Sequence, residues 1–340
     1  MGFLFRNQFV RGIFFLFPLL IILAALFFFF LPMSVTKNGE GVDVWIPKGE
    51  PVYGIAERLK THSVIRSKKG FYAGTLLLRV SKKLQAGTYH FEGKMSLYQV
   101  IRKLQKGDVV YREVTIPEGW TAKRIAGLLF RQVGIDSVEF LKYVHDPSFC
   151  RVLGIEAESL EGYLYPNTYQ FTPPVTAQEI LQRMVEQFHA HFSDSLKARA
   201  REMGWTVHQV VTLASIIEGE AKFDEERPII SAVYHNRLRI GMALQACPTI
   251  QYLLPDGPRH LFKKDLEIRS PYNTYLHPGL PPGPVCNPGI ASLKAALYPA
   301  PVNYLYMVSN GDGSHTFSLR LEEHVKAKHR LNQLRHREAL

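Results

Sequence analysis

The chain has 340 residues, 46% hydrophobic and 21% charged, enough for one large core or two to three smaller ones and unlike a disordered or collagen-like composition. Its formal net charge of +11 points to an anionic partner, yet the basic residues form neither a run nor an aromatic-interleaved stripe, which argues against nucleic acid. Cys150, Cys247 and Cys286 are an odd set, so buried free thiols are the simplest reading and no disulfide pairing follows from sequence.

In chain order, the first element is the apolar run IFFLFPLLIILAALFFFFL, Ile13 to Leu31, which carries no charge. At about 1.5 Å per residue such a helix crosses a hydrocarbon layer of roughly 30 Å, so residues 13–32 read as a transmembrane anchor. Arg6 and Arg11 precede it and Lys37 is the first charge after it. The positive-inside tendency then makes residues 1–12 a cytoplasmic tail and puts the remainder outside the cytoplasmic membrane, which in a cell with an outer membrane is the periplasm. A cleaved signal peptide is the competing reading; the long apolar core and the missing A-x-A site favour an uncleaved, single-pass anchor.

An internal repeat follows a short polar linker. VWIPKGEPVYGIAERL (Val44 to Leu59) aligns with VTIPEGWTAKRIAGLL (Val114 to Leu129), matching at Val44/Val114, Ile46/Ile116, Pro47/Pro117, Gly49/Gly119, Ile55/Ile125, Ala56/Ala126 and Leu59/Leu129. Each copy reads as a strand with alternating apolar residues, a Pro-x-Gly turn and an amphipathic helix. The copies are expected to pack on each other or on the strand AGTYHF, Ala86 to Phe91. The first copy resembles the LysM module, a small βααβ unit that binds glycans rich in N-acetylglucosamine; a plain spacer is the alternative.

From about Leu160 the texture changes. LEGYLYPNTYQF (Leu160 to Phe171) is aromatic and turn-rich, and the next segment carries Ile180, Met184, Phe188 and Phe192 at helical spacing. Two more helices are expected over about 207–218 and 226–239, then a Pro/Gly/Tyr-rich loop over 270–289, a Gly-turn hairpin and a basic helix from Leu321. Helices with small sheets in series make the fold class α+β. The expected layout is the anchor, a LysM-like module over 42–110, a second strand–turn–helix unit over 111–157, and a mixed α+β catalytic domain over 158–340.

The segment TLASIIEGEA, Thr212 to Ala221, ends an apolar helix with two glutamates around a glycine. Glu218 is expected in the last turn, with Gly219 ending the helix in the left-handed conformation. There it faces the negative end of the helix dipole and is flanked by Ile216 and Ile217, and both effects raise a carboxyl pKa. A carboxyl protonated near neutral pH is what glycosidic cleavage requires of its proton donor. Asp224, Glu225 and Glu226 read as the cap and first turn of the next helix, so no second catalytic carboxylate is identified. Ordinary glycoside hydrolysis uses two; a lone acid suffices when the substrate supplies its own nucleophile.

The motifs ASIIEGEA, ISAVYHNRLRIGMALQACPTIQY, SPYNTYLHPGLPPGPVCNPGIASLKAALYPA and YLYMV…GSHTFS, with LEGYLYPNTYQF upstream, resemble in order the endolytic murein transglycosylase (YceG-like) family. The resemblance implies a membrane-anchored enzyme that cuts nascent peptidoglycan glycan strands internally and so ends their elongation. It implies that Glu218 protonates the oxygen bridging MurNAc and GlcNAc and then acts as base on the MurNAc 6-hydroxyl, leaving a 1,6-anhydro end. It implies no metal or cofactor, with glycan strands, the membrane and peptidoglycan synthases (penicillin-binding proteins) as partners. Glu161, Glu220, Asn236, Arg237, Gln245, Tyr252, Asn273, Tyr275 and Asn287 match the family's polar motif positions, and the resemblance makes them candidates for holding substrate, with capping or loop bracing as the alternative. Asn167 and Cys247 stand where many relatives are expected to have Asp.

Two rivals are kept open. A Cys286/His277 transpeptidase needs a base within reach of the thiol, and a Pro-rich loop offers nothing to activate it. A non-enzymatic glycan-binding scaffold for wall synthases fits a LysM-like module but gives no reason for Glu218.

Overall fold

The V-D-V-W-I alternation of β2 (Val42–Ile46) buries Val44 and Ile46 on one face and leaves Asp43 and Trp45 exposed on the other, as a half-buried strand must. The computed structural model describes residues 27, 29–35, 41–255 and 257–338, and the chain divides into a smaller unit, Met1–Arg112 with Gln170–Pro174, and a larger one, Glu113–Tyr169 with Val175–Leu340.

In the smaller unit, β1 (Met33–Ser34) pairs with β4 (Lys94–Met95), and β2 pairs antiparallel with β3 (Gly87–Phe91) in the register Val44↔Tyr89 and Ile46↔Gly87. Helices α1 (Val52–Thr61) and α2 (Lys68–Leu77) lie between β2 and β3 in the chain, giving the strand–helix–helix–strand order. The first repeat copy therefore pairs with the AGTYHF strand, one of its two expected partners. Helix α3 (Leu97–Lys106) is closed by its own sequence: Ser96 and Gln99 form a reciprocal capping box, and Gly107 ends it at φ 70°. Val44, Ile46, Ile55, Leu59, Phe71, Tyr89, Phe91, Ile101 and Leu104 make the core.

The transmembrane helix expected over residues 13–32 is corrected here. Among the described residues no helix is long and apolar enough to cross a membrane, and residues 1–26 lie outside the described residues. At the described end of the apolar run Phe29 lies against the small core, while Phe27 and Phe30 are exposed; the Phe29 and Phe30 rings lie 6.0 and 5.3 Å from Tyr98. The run then stops at Pro32 and turns into β1. The membrane location inferred from that span is withdrawn with it.

In the larger unit the second repeat copy supplies β5 (Arg112–Thr115) and α4 (Ala122–Val133), followed by α5 (Ser137–Val144) and α6 (Pro147–Val152). Strand β6 (Thr168–Phe171) pairs with β5, and α7 (Ala177–His191) and α8 (Asp194–Glu202) follow. Residues 113–157 thus share this unit with 158–169 and 175–340.

Helix α9 (Val207–Glu220) is the centre of the larger unit. Every residue from Val210 to Ile217 is buried, so it is covered on all sides, mainly by α12 (Ile290–Leu297) and also by α10 (Arg227–Arg239) and α11 (Cys247–Leu253). Each large apolar side chain among these contributes about 1.5–3 kcal/mol by leaving water. A capping box between Thr206 and Gln209 starts the helix. The chain closes with the expected hairpin, β7 (Tyr306–Ser309) against β8 (His315–Ser318), and α13 (Leu321–Glu338).

Candidate functional site

The end of α9 differs from its sequence reading. The helix runs on through Gly219 to Glu220, and Ala221 caps it in an extended conformation. Gly219 is no left-handed terminator. A Cβ there would lie 2.6 Å from Cβ and Cγ of Pro248, so the glycine permits the close approach of α11.

The two glutamates around it have different surroundings. Glu220 Oε1 accepts hydrogen bonds from the Tyr234 hydroxyl (3.2 Å) and the Cys247 amide (3.1 Å). Burial pushes its pKa up, with His315, Tyr234 and the Cys247 amide opposing. These contacts tie α9, α10 and α11 together.

Glu218 faces elsewhere, with only 7% of its side chain exposed. Its Oε2 accepts from the Gly289 amide at 3.1 Å and lies 3.2 Å from Arg227 Nη1. The expected surroundings were apolar, at the negative end of a helix. Instead the carboxyl meets a guanidinium and the amide of the residue that caps α12. Arg227 is itself held by Asp224 Oδ1 at 2.8 Å and by the Ser292 hydroxyl.

Next to Glu218 stands the Pro117–Glu118–Gly119 turn. A Cβ built on Gly119 would lie 3.6 Å from Glu218 Cγ, and Gly119 sits at φ 72°, which glycine adopts without strain. The Glu118 carboxyl fills the place a Cβ on Gly289 would take. Gly289 therefore touches both acids, Glu118 at its α-carbon and Glu218 at its amide. The Glu118 pKa is raised, first by desolvation and then by the charge of Glu218, with Arg227 opposing and Asp224 adding.

Gly119 and Gly219 also line a groove of about 1040 Å³. Its other walls include Trp120, Lys123, Arg124, Arg131, Glu161, Tyr252 and Cys286. Arg124 stacks over Trp120 at 4.3 Å, and the Tyr252 and Tyr272 rings are 5.2 Å apart. Lys123 Nζ donates to the Pro255 carbonyl at 3.0 Å and bridges the groove's two sides.

Of the remaining residues named from sequence, Glu161 and Tyr252 line the groove. Both Glu161 oxygens accept from the Ala122 amide, at 3.0 and 3.1 Å, at the first turn of α4. Its Oε1 also accepts from Asn287 Nδ2 at 2.8 Å; burial pushes the Glu161 pKa up to about 8 against these donors. Asn287 is fully buried. It donates to Trp120 O and Glu161, and accepts from the Gly162 and Leu164 amides, all at 2.8 Å.

Asn236 Nδ2 donates to Val302 O and Tyr304 O, and Arg237 donates to Leu305 O, Ala243 O and Leu244 O, so this pair fastens α10 to the segment before β7. Asn273 holds its own loop through Leu266 O, Ile268 O and the Tyr275 amide. Tyr275 sets its hydroxyl 3.3 Å from Cys247 Sγ, and Gln245 is exposed at φ 49° with its amide on Thr274 O. Cys286 is buried, points its thiol at Ser215 O (3.3 Å) and has a pKa raised by burial, while His277 lines a different pocket; no activated thiol results. All three cysteines are free.

Glu118, Arg227, Gly289 and Ser292 were missed by sequence reasoning. One signal for Glu118 was in the repeat: the turn prolines and glycines match, but Lys48 of the first copy becomes Glu118 in the second.

Fold and site together define a protein with a groove whose wall is aromatic and basic and whose lining glycines, Gly119 and Gly219, adjoin Glu118 and Glu218 in the chain. The chain belongs to the YceG-like family, whose model matches residues 44–330. A protein of Bacillus subtilis (strain 168) called endolytic murein transglycosylase is 35% identical over 303 residues, covering 84% of each chain. One of the same name from Streptococcus pneumoniae serotype 2 (strain D39) is 27% identical over 328 residues, covering 86% of this chain and 59% of the relative. A crystal structure of a yceG-like protein from Listeria monocytogenes matches with a TM-score of 0.59 at 35% identity, covering 84% of this chain and 98% of that one.

Proposed function

We propose that the protein is a lytic transglycosylase that cuts peptidoglycan glycan strands internally between MurNAc and GlcNAc. The MurNAc 6-hydroxyl attacks C1 as the bond to the bridging oxygen breaks, and the product carries a 1,6-anhydro end. Cuts within nascent strands would end their elongation. Glu218 is the carboxyl on which the proton transfers turn: it takes the 6-hydroxyl proton and, in the simplest form, has first given one to the bridging oxygen.

The observation that carries this reading is the Glu218 carboxyl, almost fully buried, fixed by Arg227 and the Gly289 amide, and flanked by two glycines that line a groove. Trp120 and Tyr252 suit sugar faces, and Lys123, Arg124 and Arg131 suit an anionic polymer. The names of the Bacillus and pneumococcal relatives support the same substrate and reaction class.

Incubation with un-crosslinked glycan strands, followed by mass analysis of the ends, tests it. Shortened strands ending in 1,6-anhydroMurNAc are expected; binding without shortening would make the protein a scaffold. A second reading, hydrolysis, is favoured by Glu118 beside Glu218, since two carboxyls can activate water. It gives reducing ends, heavier by one water.

A further inference from the structure

We propose that Glu118 is a second catalytic carboxyl, which gives the proton to the bridging oxygen while Glu218 receives the proton of the attacking hydroxyl. This rests on the strand cleavage proposed above and divides its two proton transfers between two groups.

The backbone around Glu118 is held on both sides. The Ile116 amide donates to Asn167 O and the Gly119 amide to Asn287 O, each at 2.9 Å, and the turn between them projects Glu118 against Gly289. Glu118 is exposed as a residue while its carboxyl lies against Gly289, and its neighbour Gly119 lines the groove, so a substrate held there can reach it. Glu218 is almost fully buried, and its Oε2 already accepts from the Gly289 amide and pairs with the Arg227 guanidinium. Among the described residues nothing donates a hydrogen bond to Glu118.

A guanidinium and an amide are donors with nothing to accept, so they suit Glu218 as the group that receives a proton. A carboxyl without donors, beside another carboxylate, suits the group that carries one. Paired acids whose surroundings pull their titrations apart are how sugar-cleaving sites divide acid from base. The charged and titratable groups around Glu118 are Glu218, Arg227, Asp224 and Tyr165; of the first three, two raise its pKa and only Arg227 lowers it.

The step balances. The Glu118 proton goes to the bridging oxygen, and the C1–O bond breaks with its electron pair on the departing GlcNAc. The MurNAc 6-oxygen bonds to C1 and its proton goes to Glu218. Proton return from Glu218 to Glu118 resets the pair; one C–O bond is broken, one is formed and no water is consumed.

The test uses the whole protein on two substrates: un-crosslinked strands, and a 2,4-dinitrophenyl glycoside of MurNAc, whose leaving group departs without protonation. Glu118→Gln should slow strand cleavage by about 100-fold, the lower range for a general acid, yet leave the aryl glycoside rate within about threefold of wild type. The high-pH fall in the strand rate should vanish with it. Glu118→Asp, which keeps a proton but draws it back, should fall between.

Undiminished strand cleavage by Glu118→Gln would overturn the inference and leave the proposed function standing. Equal loss on both substrates, with thermal unfolding unchanged, would overturn it too and make Glu118 a positioning residue. Glu218→Gln must fail on both substrates; full activity there sinks the underlying reading instead.

Discussion

The two strand–turn–helix copies share a scaffold and differ in what stands on it. Val44 and Val114, Ile46 and Ile116, Ala56 and Ala126, and Leu59 and Leu129 are buried to the same extent, and Gly49 and Gly119 turn the chain at φ 81° and 72°. Around Gly49 a side chain would meet open space; beside Gly119 it would meet Glu218. The first helix starts at Pro51 with no side-chain cap, whereas α4 has the Thr121 hydroxyl and the buried Glu161 carboxyl at its first amides. The shared positions build a fold; the proposed chemistry rests on a position that does not match, Lys48 against Glu118.

The largest effect should come from the acid on which the proposed cleavage turns. Glu218→Gln is expected to lower release of anhydro-ended products by about 1000-fold or more, since it removes the base and blocks reset of the pair, and to lower the unfolding temperature as well, because it breaks the buried ion pair with Arg227. The matched turn residues come next: Glu118→Gln should cost about 100-fold in strand cleavage, and Lys48→Gln nothing. Equal responses would erase the contrast.

The shared scaffold makes the opposite forecast. Leu59→Ala and Leu129→Ala each empty a fully buried site and should each cost about 2–5 kcal/mol in denaturant titrations. A large difference would mean that the copies are not equivalent in packing.

Glu161 provides a pH-dependent contrast. Burial raises its pKa from 4.5 to about 8, so the folded protein keeps a proton that the unfolded chain releases. That contribution is complete below about pH 4.5 and is lost as pH rises through about 8, so stability should fall across that window and Glu161→Gln should flatten the fall. Unfolding midpoints measured across that range check it. The smallest effect is Thr121→Ala, expected to cost about 0.5–1 kcal/mol because its cap bond to the Arg124 amide is long at 3.4 Å.

What could be read from the sequence follows from range. The apolar periods placed the strand and helix of each repeat copy, α7, α9, α10 and the hairpin, because alternation and helical spacing are local properties, whereas the helices over 97–106, 137–144, 147–152, 247–253 and 290–297 were not read from them. The IIEGE segment drew attention to Glu218, since two glutamates after a run of buried residues are conspicuous within ten positions. Its surroundings were not readable: Arg227, Gly289 and Glu118 reach it from three other segments, and no local pattern shows that they converge. The apolar N-terminal run misled for a related reason. Hydropathy reports that phenylalanines avoid water, whereas Phe29 avoids it against the small unit's core.

Gly289 has a consequence for inhibition. A saccharide mimic with a protonated ring nitrogen in place of the anomeric carbon would answer two acids located by a single backbone residue. Iminosugars of that type should gain affinity as the medium becomes more alkaline, until the nitrogen itself loses its charge. Adding even a methyl group at residue 289 should weaken them, by driving the two acids apart.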